Sequence, residues 1–445
     1  MERAIAKLFI IVLPLRMLSF LLPITSIFGM QAESLSSIIL VLGLLCTLYK
    51  EMDTPRSYSD SFLYYWKMIF VFAVISAIMS IYVVLNYGDY NGNSPFIATA
   101  KMILDFVQYG LVVVYCKRIY LVLNEDEIVR AIITSARIAL IVGYLQIAHI
   151  LQIPFLKIVY QVLAEPFSWR IYPDQIALTF LEPSWAAIYI AGIVIPIHMA
   201  QVIIKQSLIS IVELILWIPV TLMTKSTTTY LLVFVALGVA VIRMLYINEY
   251  KSTVKIFAIS VVSLGSIAIS NIETIGEILG FDMRYALLFK TTDLSNQSTA
   301  SRMIPLIGNW EIFKKFPLCG CGNGLQGYFY GELIPSEYYR HLNLDKAVYA
   351  MLKGYDSSIP NGQLFFPALL SGYGLIGVIL FIKFIIISIN NIKGNSGILK
   401  EMYIIALLPL MIAGFKSEFV GIIYIWFVLA IPFSMNQIKT DKAEP

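Results

Sequence analysis

Charged side chains are scarce in this sequence. Lys, Arg, Asp and Glu together make up 13% of its 445 residues, whereas soluble domains usually contain about 25%. Apolar residues make up 59% of the chain, and the mean hydropathy is +0.79. A soluble protein of this length would need a more polar surface to cover its core. The composition therefore excludes a soluble enzyme and a nucleic-acid-binding protein, and it predicts an all-α polytopic membrane protein.

Cysteine and histidine are also rare, with four and three copies. Cys319 and Cys321 form a C-x-C pair, but no further His or Cys stands at the spacing of a tetrahedral zinc site. These residues therefore predict neither a disulfide scaffold nor a metal site. The glycine-rich loop that ends in Gly-Lys-Ser/Thr and binds nucleotide phosphates is also missing, so no cofactor is predicted.

Long apolar runs dominate the chain. A helix needs about 20 residues to cross the ~30 Å hydrocarbon core of a bilayer. The first run, about residues 8–30, is too long for the apolar core of a cleavable signal peptide and predicts a spanning helix. About twelve runs predict spanning helices, over residues 8–29, 34–49, 66–86, 96–116, 129–152, 183–203, 207–223, 228–246, 254–272, 363–386, 401–414 and 418–435.

Lys and Arg are concentrated in alternate connections between these runs. If the amino terminus lies inside the cell, the shorter outer connections hold only Lys157, Arg170, Lys225 and Lys416. Cytoplasmic connections of membrane proteins carry an excess of Lys and Arg. The pattern predicts that both termini are cytoplasmic.

Two outer connections are long and divide the chain. Residues 1–272 comprise nine predicted spanning helices and the first long connection, 152–182, and residues 363–445 comprise the last three helices and a cytoplasmic tail. Between them, residues 273–362 form a second long connection that is rich in Tyr, Phe and Trp. Because disordered segments are poor in aromatic residues, we expect a folded cap on the outer face.

The predicted cap contains an amphipathic segment followed by a glycine-rich loop. Apolar residues recur at helical spacing over residues 302–316, where Pro305 suits the first turn and Pro317 stops the helix. The loop that follows has glycine at alternate positions, namely Gly320, Gly322 and Gly324. Glycines allow close backbone approach and N–H donors for an anion. A plain turn after a helix is the other interpretation of this loop.

Arg170 and Lys225 are basic residues of the outer connections. The Arg170 guanidinium suits a bidentate clamp on phosphate oxygens, or it is a snorkelling side chain beside the interfacial Trp169 and Tyr172. Lys225 lies in a tight turn with several hydroxyl side chains. Such a turn suits a phosphate or a sugar, whereas a lone Lys in a turn is commonly just solvated. Both interpretations stay open for each residue.

Glu182 and Pro183 open the sixth predicted helix at the outer surface. Pro at the first helical position and Glu near a helix amino terminus are ordinary features of a helix start. A second interpretation is that the Glu182 carboxylate accepts a proton at the membrane boundary. The sequence does not decide between the two.

Taken together, this layout resembles the superfamily of O-antigen polymerases (Wzy type) and O-antigen ligases (WaaL type). The resemblance covers most of the chain, with about twelve helices and a large outer loop late in the sequence. Arg302, Trp310 and residues 317–322 resemble the family's R…W…P-L-x-G-x-G stretch. Asn361 belongs to a stretch that resembles the family's H-N…L…G…G pattern, and Lys225 lies where relatives often carry a Ser-Arg pair.

The resemblance implies a GT-C-like glycosyltransferase that needs no metal. It would join oligosaccharide repeat units carried on undecaprenyl pyrophosphate into O-antigen or capsule-type polysaccharide, at the periplasmic face of a bacterial inner membrane. Arg302 and Arg170 would neutralise the pyrophosphate, and Glu182 would be the acid/base carboxylate. Lys225, Asn361 and the glycine loop would bind substrate. Membrane lipid and a chain-length regulator protein are the implied partners, and nucleic acid is not.

Two alternative functions stay open. A ligase would use the same donor but transfer polymer to the lipid A-core of lipopolysaccharide. In ligases the proposed catalytic base is the His that stands as Pro360 in this chain, which favours a polymerase. A flippase for lipid-linked oligosaccharides would need polar residues near the middle of the membrane and modest loops, whereas charge is concentrated here at the outer face.

Overall fold

A computed structural model describes residues 1–15, 34–51, 60–88, 94–167, 169, 171–180, 182–246, 297–334, 364–415 and 422–435. Every regular element in these ranges is a helix, which confirms the predicted all-α class. In chain order the helices are α1 (Glu2–Ile11), α2 (Leu35–Glu51), α3 (Asp60–Tyr87), α4 (Pro95–Val122), α5 (Glu125–Ile150), α6 (Pro154–Ala164), α7 (Pro183–Lys205), α8 (Leu208–Met223), α9 (Thr227–Tyr246), α10 (Gln297–Lys315), α11 (Gln326–Leu333), α12 (Phe365–Ile392), α13 (Ile398–Ala413) and α14 (Ile423–Met435).

Six of these helices are long and apolar enough to cross a membrane, namely α3, α4, α5, α7, α9 and α12. They support the predicted membrane-spanning class, because about 20 apolar residues suffice to cross the hydrocarbon core. Four further predicted spans correspond to the shorter helices α2, α8, α13 and α14. The predicted span over 254–272 lies outside the described residues, and a total of twelve spans stays a prediction.

Two helices have boundaries that differ from those predicted. The first starts at Glu2 and ends at Ile11, with Val12 to Pro14 in a turn, so residues 8–15 are not one continuous helix. Pro14 explains the break, because proline lacks the N–H of a helix interior and disfavours helical backbone before it. Helix α10 begins at Gln297 and places Pro305 in its interior rather than in its first turn.

Helix α7 lies at the centre of the bundle. It packs against α5, α8, α9 and α13, and its side chains from Ala186 to Ala200 are all buried. Its residues Ile190–Val194 are π-helical. There a β-carbon on Gly192 would lie 2.7 Å from the Leu410 side chain, so the glycine lets α13 approach closely. A helix that is apolar all round belongs in such a buried position.

One end of the bundle is held by ion pairs. Because α7 ends beside Asp126 and α9 ends beside Glu401, both helices begin at the opposite end. We call the paired end the Glu127 end and the opposite end the Lys225 end. The positive-inside rule predicts that the Glu127 end is cytoplasmic. The pairs are Arg3–Glu127 (2.7 Å), Lys7–Glu127 (2.8 Å), Arg118–Glu2, Lys205–Asp126 (2.7 Å) and Arg243–Glu401 (2.7 Å).

Breaking the pair of Arg243 and Glu401 is expected to destabilise the protein strongly. Two hydrogen bonds, of 2.7 and 3.0 Å, join the guanidinium to this buried carboxylate. Removing one partner of a buried pair leaves an uncompensated charge and costs about 3–5 kcal/mol. Arg243→Met should therefore lower the unfolding temperature in detergent, and adding Glu401→Leu should recover much of the loss.

Asp126→Asn is the matched control for this experiment. Asp126 and Lys205 form an ion pair at the same end, but both side chains are at least half exposed. Exposed pairs contribute about 0–1 kcal/mol. If Arg243→Met and Asp126→Asn lower the unfolding temperature equally, burial of the Arg243–Glu401 pair has no special importance.

Candidate functional site

Glu182 lies at the Lys225 end, as the residue that precedes the first turn of α7. Its backbone carbonyl accepts the first hydrogen bond of the helix, from the Trp185 N–H at 3.0 Å. Its exposed side chain caps no backbone N–H and accepts one hydrogen bond, from the Ser184 hydroxyl at 3.1 Å. The backbone of Glu182 thus starts the helix, and its carboxylate faces solvent, where it can accept a proton.

Lys225 lies beside Glu182's helix, because α7 and α9 pack together and both begin at this end. The backbone of Lys225 is left-handed, with φ +47°. Its side chain is only 16% exposed, and its Nζ lies 3.9 Å from the Asp174 carboxylate. That distance is too long for a hydrogen bond. Lys225 is therefore not simply a solvated turn residue, since its ammonium is held partly buried near one carboxylate.

The segment that carries Asp174 is fixed inside the bundle. Residues 176–180 are all buried, although the sequence predicts an outer connection there. The Ile176 N–H donates to the Met223 carbonyl at 3.0 Å, which ties the segment to the end of α8. The side-chain amide of Gln146 donates to the Leu178 carbonyl at 2.6 Å and accepts from the Leu178 N–H at 2.9 Å. These bonds hold Leu178 in a left-handed conformation, with φ +55°.

The threonines on both sides of Lys225 add hydroxyl groups at the same end. Thr224, Thr228 and Thr229 are buried. The Thr224 hydroxyl donates to the Thr221 carbonyl at 2.8 Å. The Thr229 hydroxyl has no hydrogen-bond partner among the residues that the structure describes, and a buried hydroxyl usually has one. The start of α9 therefore combines a cation, a helix amino terminus and an unpaired hydroxyl.

Helix α12 is opened near its start by Gly374, which has φ +60° and ψ −155°. In a regular helix, the N–H groups of Leu375 and Ile376 would donate four residues back along α12. They donate instead to the carbonyls of Pro317 and Leu318, with N···O distances of 2.9 and 3.2 Å. The opened helix is therefore completed by the glycine loop.

Hydrogen bonds between the glycine loop and α12 also run in the other direction. The freed carbonyls of Ser371 and Gly372 accept hydrogen bonds from the N–H groups of Cys321 and Gly322, both at 2.8 Å. A β-carbon on Gly320 would lie 2.3 Å from the Gly372 carbonyl carbon. Loop and helix therefore pack backbone against backbone, which only glycine allows at this position.

The N–H groups of the three loop glycines all donate within the protein. Those of Gly320 and Gly322 donate to backbone carbonyls, at 3.0 and 2.8 Å, and that of Gly324 donates to the Gln326 side chain at 2.8 Å. Packing thus accounts for the glycines, which favours the interpretation as a structural turn. Substrate binding by Gly320, Gly322 and Gly324 stays a prediction.

An apolar groove of about 580 Å³ lies beside the glycine loop. Asn309 of α10 reaches it and is only 1% exposed. The Asn309 carbonyl oxygen accepts from the Ser371 hydroxyl at 2.8 Å and the Tyr330 hydroxyl at 3.0 Å, whereas its amide nitrogen has no partner within the described part of the chain. Apart from Asn309 the lining is apolar, and it includes Leu306, Trp310, Phe366, Pro367, Leu369, Leu370, Val378, Phe381, Ile382, Ile385, Ile386, Met411 and Phe415.

Asn309 is a candidate site residue that the sequence analysis missed. The sequence signal for it is a single amide among the apolar residues of the predicted helix over residues 302–316. Arg302 lies in the second turn of the same helix, α10. Arg170 and Asn361 lie outside the described residues. The structure thus places Glu182 and Lys225 before the starts of two helices that pack together, and it packs the glycine loop against the first part of α12.

No protein-family model, no curated protein and no solved structure matches the chain. The resemblance to O-antigen polymerases therefore depends on the sequence motifs alone. The side chains at the Lys225 end therefore provide the structural basis for a proposed function.

The cysteines and acids of the described ranges offer little for metal binding. Within those ranges, no group of three or more His, Cys, Asp and Glu side chains is arranged to hold a metal ion. Cys321 is buried, and burial raises the pKa of its thiol. A thiol that stays protonated is a weak nucleophile, because the thiolate is the reactive form. Cys319 is exposed.

Proposed function

We propose that the protein is a membrane glycosyltransferase that polymerises oligosaccharide units carried on undecaprenyl pyrophosphate. The observation that supports this best is a juxtaposition at the Lys225 end. A carboxylate and a cation lie at the starts of two adjacent spanning helices, and an apolar groove opens nearby. A lipid-linked pyrophosphate combines the chemistry of both places, since it has an anionic head and a hydrocarbon chain.

The groove and Lys225 lie near the same ends of two helices that pack together, α9 and α13. Helices α9 and α13 pack antiparallel, since Arg243 and Glu401 pair them at the Glu127 end. Their other ends therefore meet at the Lys225 end, where Met411 of α13 and Phe415, just beyond that helix, line the groove. One helix diameter is about 10 Å, so a donor can place its chain in the groove and its head towards Lys225.

The groove offers the lipid-linked donor one polar contact. The amide N–H of Asn309, which has no partner among the described residues, can donate to an oxygen of the donor, and this bond would satisfy a buried polar group. The other lining side chains are apolar and suit a hydrocarbon chain. Arg302, on the same helix as Asn309, is a further candidate ligand of the pyrophosphate.

Glu182 and Lys225 have complementary roles in the proposed reaction. The acceptor hydroxyl oxygen forms a bond to the anomeric carbon of the donor, and its proton passes to the Glu182 carboxylate. The bond from that carbon to the pyrophosphate oxygen breaks, and undecaprenyl pyrophosphate leaves with the electron pair. Lys225 and the amino termini of α7 and α9 stabilise the negative charge on the leaving group. The donor already stores the energy of transfer, so the reaction needs no nucleotide.

Lys225→Ala is expected to slow polymer formation about ten- to a hundredfold, because a charge-assisted hydrogen bond contributes about 1.5–3 kcal/mol. The purified protein would be placed in vesicles with an undecaprenyl-pyrophosphate-linked oligosaccharide, and product length would be followed over time. Lys157→Ala is the matched control, since Lys157 lies at the same end but bonds only within its own connection, to Gln152.

Three outcomes would contradict the proposal. An unchanged rate for Lys225→Ala would remove the cation from the mechanism. Transfer of polymer only to a lipid A-core acceptor would indicate a ligase. Movement of the lipid-linked unit across the membrane without elongation would indicate a flippase.

A further inference from the structure

We propose that α6 is an interfacial helix, whose exposed apolar face lies in the lipid leaflet at the Lys225 end while one flank faces water. The inference is independent of the proposed function. It assigns the lipid bilayer as the partner of a surface within the connection 152–182, which the sequence predicts only as an outer loop.

The position of α6 is set by the spanning helix before it. Helix α5 ends at Ile150, and a turn with Gln152 at φ +57° reverses the chain before Pro154 starts α6. The Tyr160 hydroxyl then accepts a hydrogen bond from Gln146 at 2.9 Å, and the Tyr160 ring contacts His149. Gln146 lies about 6 Å below the end of α5, at 1.5 Å per residue. Helix α6 therefore lies against the last turns of a membrane-spanning helix, at the depth of the bilayer boundary.

One face of α6 packs on the protein. Tyr160 and Ala164 are buried and form a cluster with Val142 of α5 and with Trp169. Tyr160 and Ala164 are four residues apart, so they share one side of the helix. The opposite side of the helix is thus the one available to a partner.

That opposite side is an apolar stripe. Phe155, Ile158 and Val162 recur at intervals of three and four residues, which aligns them along one face of α6, and Leu151 lies in the turn before this helix. Each of the four is between 59% and 74% exposed in the protein alone. Such a contiguous stripe is unfavourable in water. It continues from the end of a spanning helix, and this continuity identifies lipid hydrocarbon as its partner.

The third side of α6 is polar. Lys157, Gln161 and Glu165 follow one another at intervals of four residues, between the apolar stripe and the buried face. The Lys157 ammonium donates to the Gln152 side chain at 2.6 Å, towards the start of the helix. A helix with an apolar side and a polar flank lies in the plane of the interface. Because the flank carries one Lys and one Glu, we expect no preference for anionic lipid.

Nitroxide accessibility tests this arrangement. Cys46 and Cys319 would be replaced by Ser, and single cysteines would be placed at Phe155, Ile158, Lys157 or Gln161. The labelled full-length protein would be studied in phosphatidylcholine vesicles. Collisions with oxygen, which concentrates in lipid, would be compared with collisions with a water-soluble nickel chelate.

The expected result is that the quencher with the greater access alternates along the helix. Labels at positions 155 and 158 should collide several-fold more with oxygen than with nickel, and labels at 157 and 161 should show the reverse. Vesicles that contain anionic lipid should give the same pattern. Nickel access at all four positions would mean that α6 lies in water. Protection of all four labels from nickel would mean that α6 is fully inserted in the hydrocarbon core. Protection of positions 155 and 158 from both quenchers would mean that a second copy or another protein covers the stripe. Each of these three results would overturn the proposal.

Discussion

Replacing Glu182 by Gln is expected to slow sugar transfer about a hundred- to ten-thousandfold, the usual contribution of a general base. The substitution should remove only the ability to accept the proton of the acceptor hydroxyl. The side chain is exposed, and its hydrogen bond comes from the Ser184 hydroxyl. A Gln side chain keeps an oxygen that accepts the same bond, but it cannot take the acceptor's proton. The rate of polymer formation in vesicles with a lipid-linked oligosaccharide measures the effect.

Glu165→Gln is the matched control for Glu182→Gln. Glu165 is another exposed carboxylate of the connection 152–182, and it belongs to the flank of α6 rather than to the start of α7. The Glu165→Gln variant should form polymer at the normal rate. The amount and the unfolding temperature of both variants must match those of the unaltered protein. A normal rate for Glu182→Gln, or a loss that merely follows the disappearance of the protein from the membrane, would remove Glu182 as the base.

The spanning helices could be predicted because their signal is local. Hydropathy over about 20 residues depends only on neighbours in the chain, and six long apolar helices lie where such runs were found. The start of α7 was local as well, because Glu182-Pro183 is a helix-start pair. The predicted helix of the cap was also found, although it begins five residues earlier, at Gln297.

The arrangement of the candidate site could not be predicted, because it depends on partners far apart in the chain. Gln146 fixes the buried backbone at Leu178, which lies in a segment that reads as a surface loop. Asn309 is held by Ser371, 62 residues later. A single sequence contains no signal for such pairs, since an amide on a helix has the same local pattern with or without its partner. Lys225 was identified for its type, but only the fold shows it partly buried beside Asp174.

The glycine loop has the largest expected effect on stability. Gly320 and Gly374 both have left-handed backbones, with φ +68° and +60°. A β-carbon on Gly320 would meet the backbone of Gly372 at 2.3 Å, and one on Gly374 would meet the backbone of Leu318 at 2.4 Å. Neither contact can be relieved by rotating a side chain, because the atoms in the way are backbone. The loop and α12 would have to separate and lose the hydrogen bonds that they exchange.

Gly320→Ala and Gly374→Ala are therefore expected to lower the free energy of unfolding by about 2–5 kcal/mol, the sum of about 1–2 kcal/mol of left-handed strain and about 1–3 kcal/mol of overpacking. Gly88→Ala separates the two causes. Gly88 also has a positive φ, +73°, but no atom of the described residues lies within 4 Å of the added β-carbon, so it should show only the strain of about 1–2 kcal/mol. Unfolding temperatures in detergent would be compared for the three variants. If Gly320→Ala is no more harmful than Gly88→Ala, the close pairing of the loop with α12 is not what requires glycine, and a role of these glycines in binding substrate becomes the better explanation.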